Sequence, residues 1–148
     1  MTTATATATR PAVRTLPAMN RTVAVLGAVV AAVALNLIVW AVGELAGGSF
    51  TMTNAGVASD VAPGGVIMMS AVPLLIGMTI AVLVSYLWTG VLRVAAVVGS
   101  LLSIGTIWLT VSADFDTAST IALSVMHVVL VPVLVVALEG VRRSITTR

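Results

Sequence analysis

Four long apolar runs divide this chain, at about 23–42, 66–87, 94–111 and 117–138. Crossing a hydrocarbon core of ~30 Å takes ~20 apolar helical residues, so each run predicts a membrane-spanning helix. Within the runs, the small and polar residues are patterned. In the third, Ala96, Gly99, Ser103 and Thr106 share one helical face, with Thr110 beyond them. In the second, Ser70, Pro73, Gly77 and Ala81 do the same, and in the first Ala24, Ala28, Ala32 and Asn36 step by four. In the fourth, Thr120, Ser124 and His127 fall together. Helices in lipid associate through close approach at small residues and through interhelical hydrogen bonds. The stripes therefore read as packing seams, the third-run set Ala96, Gly99, Ser103 and Thr106 above all.

The links complete the plan. Residues 1–20 open on a Thr-Ala alternation, contain Pro11 and Pro17, and read as a disordered tail. Asn20 or Thr22 is placed to cap the first helix. The link at about 43–65 is the longest and is rich in Gly, Ser, Thr and Ala, with Phe50 and Met52 as apolar points that dip into the interface or fold over the bundle mouth. Pro63 suits the start of the second helix. Trp88-Thr89-Gly90 makes a tight turn, which predicts the second and third helices as antiparallel neighbours. Asp114-Phe115-Asp116 makes the other tight turn, with Asp116 as N-cap of the fourth helix. Glu139 precedes Arg142 and Arg143 by three and four residues, an ion-pair spacing. Residues 142–148 read as a basic tail. The expected domain is one membrane unit over 21–141.

Charge sets the topology. Arg10, Arg14 and Arg21 precede the first run, Arg93 lies between the second and third, and Arg142, Arg143 and Arg148 follow the fourth; these are all seven basic residues. The other two links hold Glu44, Asp60, Asp114 and Asp116, and no Lys or Arg. This is the positive-inside pattern with both termini cytoplasmic. Trp40 and Trp108 near one boundary, and Tyr86 and Trp88 near the other, match an aromatic belt. The first run is too long for a signal-peptide core of ~7–15 residues. The chain is 59% hydrophobic and 8% charged, too little charge to cover a soluble domain. No dense basic face exists for nucleic acid. The composition, with arginine as the sole long basic residue, fits a bacterial inner-membrane protein from a GC-rich genome.

Candidate chemistry is sparse. His127, the one histidine, lies roughly 15 Å from the outer end of its helix at 1.5 Å per residue. Asn36 and Ser103 reach a similar depth, so Asn36, Ser103, Ser124 and His127 form a candidate intramembrane polar cluster. An ionisable group at that depth faces the bundle interior and a partner. A neutral imidazole can donate from one nitrogen and accept at the other, so two readings stand: a helix tie through Asn36 or a serine, or a residue that serves a ligand or proton. A single histidine without cysteine offers neither a haem ligand pair nor a metal cluster, and no cofactor is expected. No nucleophile–base set is present, so no enzyme is expected.

Asn36-Leu37-Ile38-Val39-Trp40, Ala46-Gly47, Ser100-Leu101-Leu102-Ser103 and Met126-His127-Val128-Val129 together resemble an uncharacterised family, a domain of unknown function, of small four-span membrane proteins from high-GC Gram-positive bacteria. Where the family pattern often has a proline after the third-span serine-leucine pair, this chain has Gly105 and Thr106. The resemblance implies a four-helix membrane fold and no activity. The expectation is an all-α, up-down-up-down antiparallel four-helix transmembrane bundle in the plasma membrane. Its partners are the lipid bilayer and another membrane protein or itself, in a structural or accessory role. The alternative is a small transporter or binder of an apolar, quinone-like ligand at Asn36 and His127.

Overall fold

The computed structural model describes residues 16–146 apart from residue 55. It contains α1 (Arg21–Leu45), β1 (Thr51–Asn54), β2 (Val57–Asp60), α2 (Pro63–Val84), α3 (Val91–Ser112) and α4 (Thr117–Thr146). All four helices are long and apolar enough to cross a membrane. The tail expected over 1–20 lies outside the described residues up to residue 15, as do Arg10, Arg14 and Arg148. Residues 16–20 are held against the end of α4. The Met19 N–H donates to the Gly140 carbonyl at 3.0 Å, and Arg143 Nη1 donates to the Leu16 carbonyl at 3.3 Å.

Helix ends follow local chemistry. Asn20 Oδ1 accepts from the Val23 N–H at 2.8 Å, which fixes the start of α1. α2 stops at Val84, short of the expected 87. The Ser85 hydroxyl turns back to the Val82 carbonyl at 2.7 Å, and the Trp88 N–H takes the Val84 carbonyl at 3.0 Å. α4 runs on to Thr146 and so incorporates Arg142 and Arg143 instead of releasing them as a tail. Glu139 Oε2 accepts from Arg142 Nε at 2.7 Å and Oε1 from Arg143 Nε at 3.4 Å, and a cation in the last turn suits the helix dipole.

The alanine stripe of α1 is the hub. Ala24, Ala28, Ala32 and Asn36 are all buried, and α1 packs against both α4 and α2. α3 packs on α4, where the Ser103 hydroxyl donates to the His127 carbonyl at 2.7 Å. α2 and α3 touch little despite their short connection. The expected neighbour packing of these two helices is thus largely absent. α2 meets α3 near their connected ends, where Met78, Ala81 and Val82 share an apolar cluster with Leu92, while farther along Gly99 of α3 is turned to Leu134 of α4.

Two apolar clusters hold the ends. At the end carrying the described termini, Ala24, Val25, Met78, Leu92, Leu138 and Val141 pack together. The Arg21 guanidinium lies 4.0 Å above the Tyr86 ring and reaches Ser85 Oγ at 3.4 Å. At the other end, Phe50, Val66, Ala122, Leu123 and Met126 form the second cluster.

The long link is ordered, which its composition does not announce. β1 and β2 pair antiparallel, from Thr51 opposite Asp60 to Asn54 opposite Val57, with Gly56 at φ +80° in the two-residue turn. Phe50 is 1% exposed and adopts a positive φ of 51°. Its ring fills the space a Cβ on Gly43 would need, 2.6 Å from Phe50 Cζ. Asp116 pins this strap. Oδ2 accepts from the Ser49 N–H at 2.9 Å and the Ser49 hydroxyl at 2.8 Å, while Oδ1 accepts from the Ser119 N–H at 2.9 Å as the N-cap of α4. The Ser119 hydroxyl donates to Asp116 Oδ2 at 2.6 Å and its oxygen accepts from the Phe50 N–H at 2.8 Å.

Candidate functional site

Because α2 and α3 separate, a cleft opens between them with a volume of about 680 Å³. That lies within the ~300–1,000 Å³ typical of small-molecule sites. α2 lines it from Gly65 to Met78, a length of about 20 Å at 1.5 Å per residue. α3 supplies the opposite wall with Val98, Leu102 and Thr106, and α4 the floor with Leu123, Met126, Leu130 and Leu134. Phe115 and Val61 close one end. Nearly every lining atom belongs to an aliphatic side chain, a methionine or a glycine, so the cleft suits an apolar body.

The polar exceptions are few and come from all four helices: Asn36, Ser70, Ser103, Thr106 and His127. Asn36 is 3% exposed. Its Nδ2 donates to Ser70 Oγ at 2.9 Å, tying α1 to α2. Its Oδ1 is buried with no hydrogen-bond partner among the described residues. An unmade bond on a buried polar atom costs ~1–3 kcal/mol, which makes this oxygen the most distinctive atom of the cleft. Pro73, which also lines the cleft, has no N–H to offer the Met69 carbonyl four residues earlier.

His127 is half-buried and does not tie helices through its ring. Its Nδ1 lies 2.8 Å from the carbonyl oxygen of Leu123, one turn back on its own helix. A carbonyl can only accept, so Nδ1 carries the hydrogen, and in the tautomer with a single ring hydrogen Nε2 is an acceptor. The tie to α3 is made by the backbone of His127, through Ser103.

Of the four residues read as a polar cluster, Asn36, Ser103 and His127 line one cleft. Ser124 does not. Its hydroxyl is spent on the Thr120 carbonyl at 2.7 Å, the common fate of a serine inside a helix. Thr106 likewise bonds back to the Leu102 carbonyl at 2.7 Å. Ser70, a member of the α2 stripe, is the partner of Asn36, a role that helical spacing does not indicate. Pro73 and Gly77, also in that stripe, border the cleft, and an added Cβ on Gly77 would meet nothing within 4 Å. Gly99 does mark a close approach, against Leu134 of α4.

Residues 16–144 match the profile of DUF6069, a family of unknown function. The chain belongs to this family. DUF6069 carries no activity that could be transferred to the cleft. No curated protein and no solved structure matches the chain. A shallower groove of about 440 Å³ lies on the outer side of α3 and α4, beside Arg93 and Glu139. Its polar groups are largely spoken for. The Ser100 hydroxyl bonds to the Ala96 carbonyl at 2.7 Å, and Glu139 holds its arginines. Among the described residues no group of three or more His, Cys, Asp or Glu side chains is placed to hold a metal ion.

Proposed function

We propose that this DUF6069 protein is a membrane-embedded binding protein, not an enzyme, that takes an apolar small molecule from the bilayer into the α2–α3 cleft. The observation that carries the reading is Asn36: a buried amide with one face spent on Ser70 and its oxygen unanswered, in an otherwise aliphatic cavity. A packing residue would have both faces satisfied. The bundle sits in the plasma membrane, up-down-up-down, with both termini cytoplasmic. The one-sided arginines support this orientation, as do the contacts of Met19 with Gly140 and Arg21 with Ser85, which gather the start of α1 and the ends of α2 and α4.

A second reading keeps the cleft but fills it with a helix of another membrane protein or of a second copy. The length of the cleft, with Met69 and Leu102 exposed along its α2 and α3 walls, favours it. Such a helix would have to bring a donor to Asn36.

Native mass spectrometry of the protein from mild detergent tests the proposal. A stoichiometric small molecule is expected on the wild type. It should be lost from Gly77→Phe, whose ring has open space to enter the cleft. A bound protein chain with no small molecule would support the second reading, and equal occupancy in both variants would overturn the cleft as the site.

A further inference from the structure

We infer that the molecule held in the cleft carries a hydrogen-bond-donating head, a hydroxyl of the phenol or alcohol kind, and not a head that only accepts, such as a quinone, ether or ester. The inference rests on the cleft being a ligand site and adds the chemistry of the head.

Two acceptors that the fold leaves open define it. The first is Asn36 Oδ1, fully buried and without a donor among the described residues. Nδ2 is held by Ser70 Oγ, which leaves the oxygen as the open atom of the amide. The second is Nε2 of His127. The Leu123 carbonyl fixes the hydrogen on Nδ1, and Nε2 has no partner among the described residues. Ser70 Oγ is turned to Nδ2, and two further hydroxyls of the cleft are spent elsewhere. Ser103 is committed to the His127 carbonyl and Thr106 to the Leu102 carbonyl. Around the two acceptors the walls are aliphatic, which excludes a hydrated or charged head and selects an apolar body.

An acceptor-only head would add a third unanswered lone pair to the same dry space. A donor head answers one or both of those already there. The difference is that between making and withholding a buried hydrogen bond, which corresponds to about tenfold in affinity or more.

The test compares 4-nonylphenol with its methyl ether, 4-nonylanisole, in lipid nanodiscs. The two share a tail and differ in the head hydrogen. The chain has one histidine, so ¹⁵N-histidine labelling reports a single imidazole. The phenol should bind at least about tenfold more tightly than the ether after correction for lipid partition. It should move the Nε2 resonance towards its hydrogen-bonded position and leave Nδ1 largely in place. His127→Leu, which removes no interhelical bond, should shrink the preference, and Asn36→Leu should do the same. If the ether binds as well as the phenol and both are excluded by Gly77→Phe, the donor-head assignment is wrong while the cleft stands. If neither binds, or Gly77→Phe leaves binding untouched, the cleft itself is wrong and the inference falls with it. A phenol preference that survives both substitutions would also overturn the assignment.

Discussion

Gly99 lies so close to Leu134 that a Cβ at position 99 would stand 2.4 Å from Leu134 Cδ2. The contact is made with the tip of a flexible side chain, so Gly99→Ala is accommodated by a turn of Leu134. Gly99→Leu is not, and should cost about 1–3 kcal/mol through overpacking. Val97 is 59% exposed, and Val97→Leu should be close to neutral. Reversible unfolding in mixed micelles measures both. Equal tolerance would remove Gly99 from the α3–α4 contact.

Ser103 and His127 make a sharper pair. Because Ser103 Oγ donates to the backbone oxygen of His127, the interhelical tie survives any change of the histidine ring. Ser103→Ala should therefore destabilise the bundle by ~1 kcal/mol, and His127→Leu by clearly less. The opposite order would mean that the imidazole, not the serine, joins the helices.

The four long helices were legible because each is a continuous apolar run of about the length that a crossing needs. The alanine stripe ending at Asn36 and the close approach at Gly99 were legible as well, since small residues at helical spacing are rare without a contact. Three features were not. The hairpin over Thr51–Asp60 has only scattered apolar residues, Met52, Val57 and Ala58, with β2 exposed throughout, so no regular alternation betrays it; Gly56 was its one signal. The cleft arises from which side α2 turns, a tertiary choice that its stripe of small residues does not settle, because Ser70 meets α1 while Gly77 borders open space. The bond of His127 to its own turn was hidden because any helical histidine has a carbonyl four residues back, and spacing alone cannot rank that carbonyl against Asn36.

Orientation is checked by reporter fusions. The arginine distribution predicts that fusions at residues 55, 90 and 148 read outside, inside and inside. An outside signal at 148 would reject the even number of crossings.

Asp116 predicts a pH response at the hairpin end. Hydrogen bonds from the Ser119 side chain and backbone, then from the Ser49 backbone and hydroxyl, hold its carboxyl far below the ordinary value of 3.8. A depressed carboxylate contributes stability that is present above the unfolded-state value and lost as pH falls below it towards the folded one. Acidification from neutral to about pH 5 should therefore leave the strap closed, with loosening confined to pH below ~4. Hydrogen exchange at the Phe50 amide, corrected for its intrinsic pH dependence, reads the strap directly. Protection should be unchanged at pH 5 and lost at all pH values in Asp116→Ala. Loss of protection already at pH 5 would show that the carboxylate is not the pin.

The last prediction separates the structural from the ligand-facing half of Asn36. Nδ2 joins α1 to α2 through Ser70, while Oδ1 faces no donor among the described residues. Ser70→Ala strips Nδ2 of its acceptor and leaves the whole amide unpaired, which should cost ~1 kcal/mol. Asn36→Leu removes the unpaired oxygen together with the tie, and the freed Ser70 hydroxyl can bond back along its own helix. Its cost should be smaller. The double variant Asn36→Leu/Ser70→Ala withdraws both partners at once and should be no less stable than Ser70→Ala alone, because replacing both members of a buried polar pair is far cheaper than orphaning one. Unfolding measured across the four proteins gives the coupling. If the two single costs simply add, the pair does not interact as described. If the pair does couple, the double variant is a folded bundle whose cleft has lost its buried amide, and retention of the bound molecule by that variant would mean Oδ1 is not what holds it.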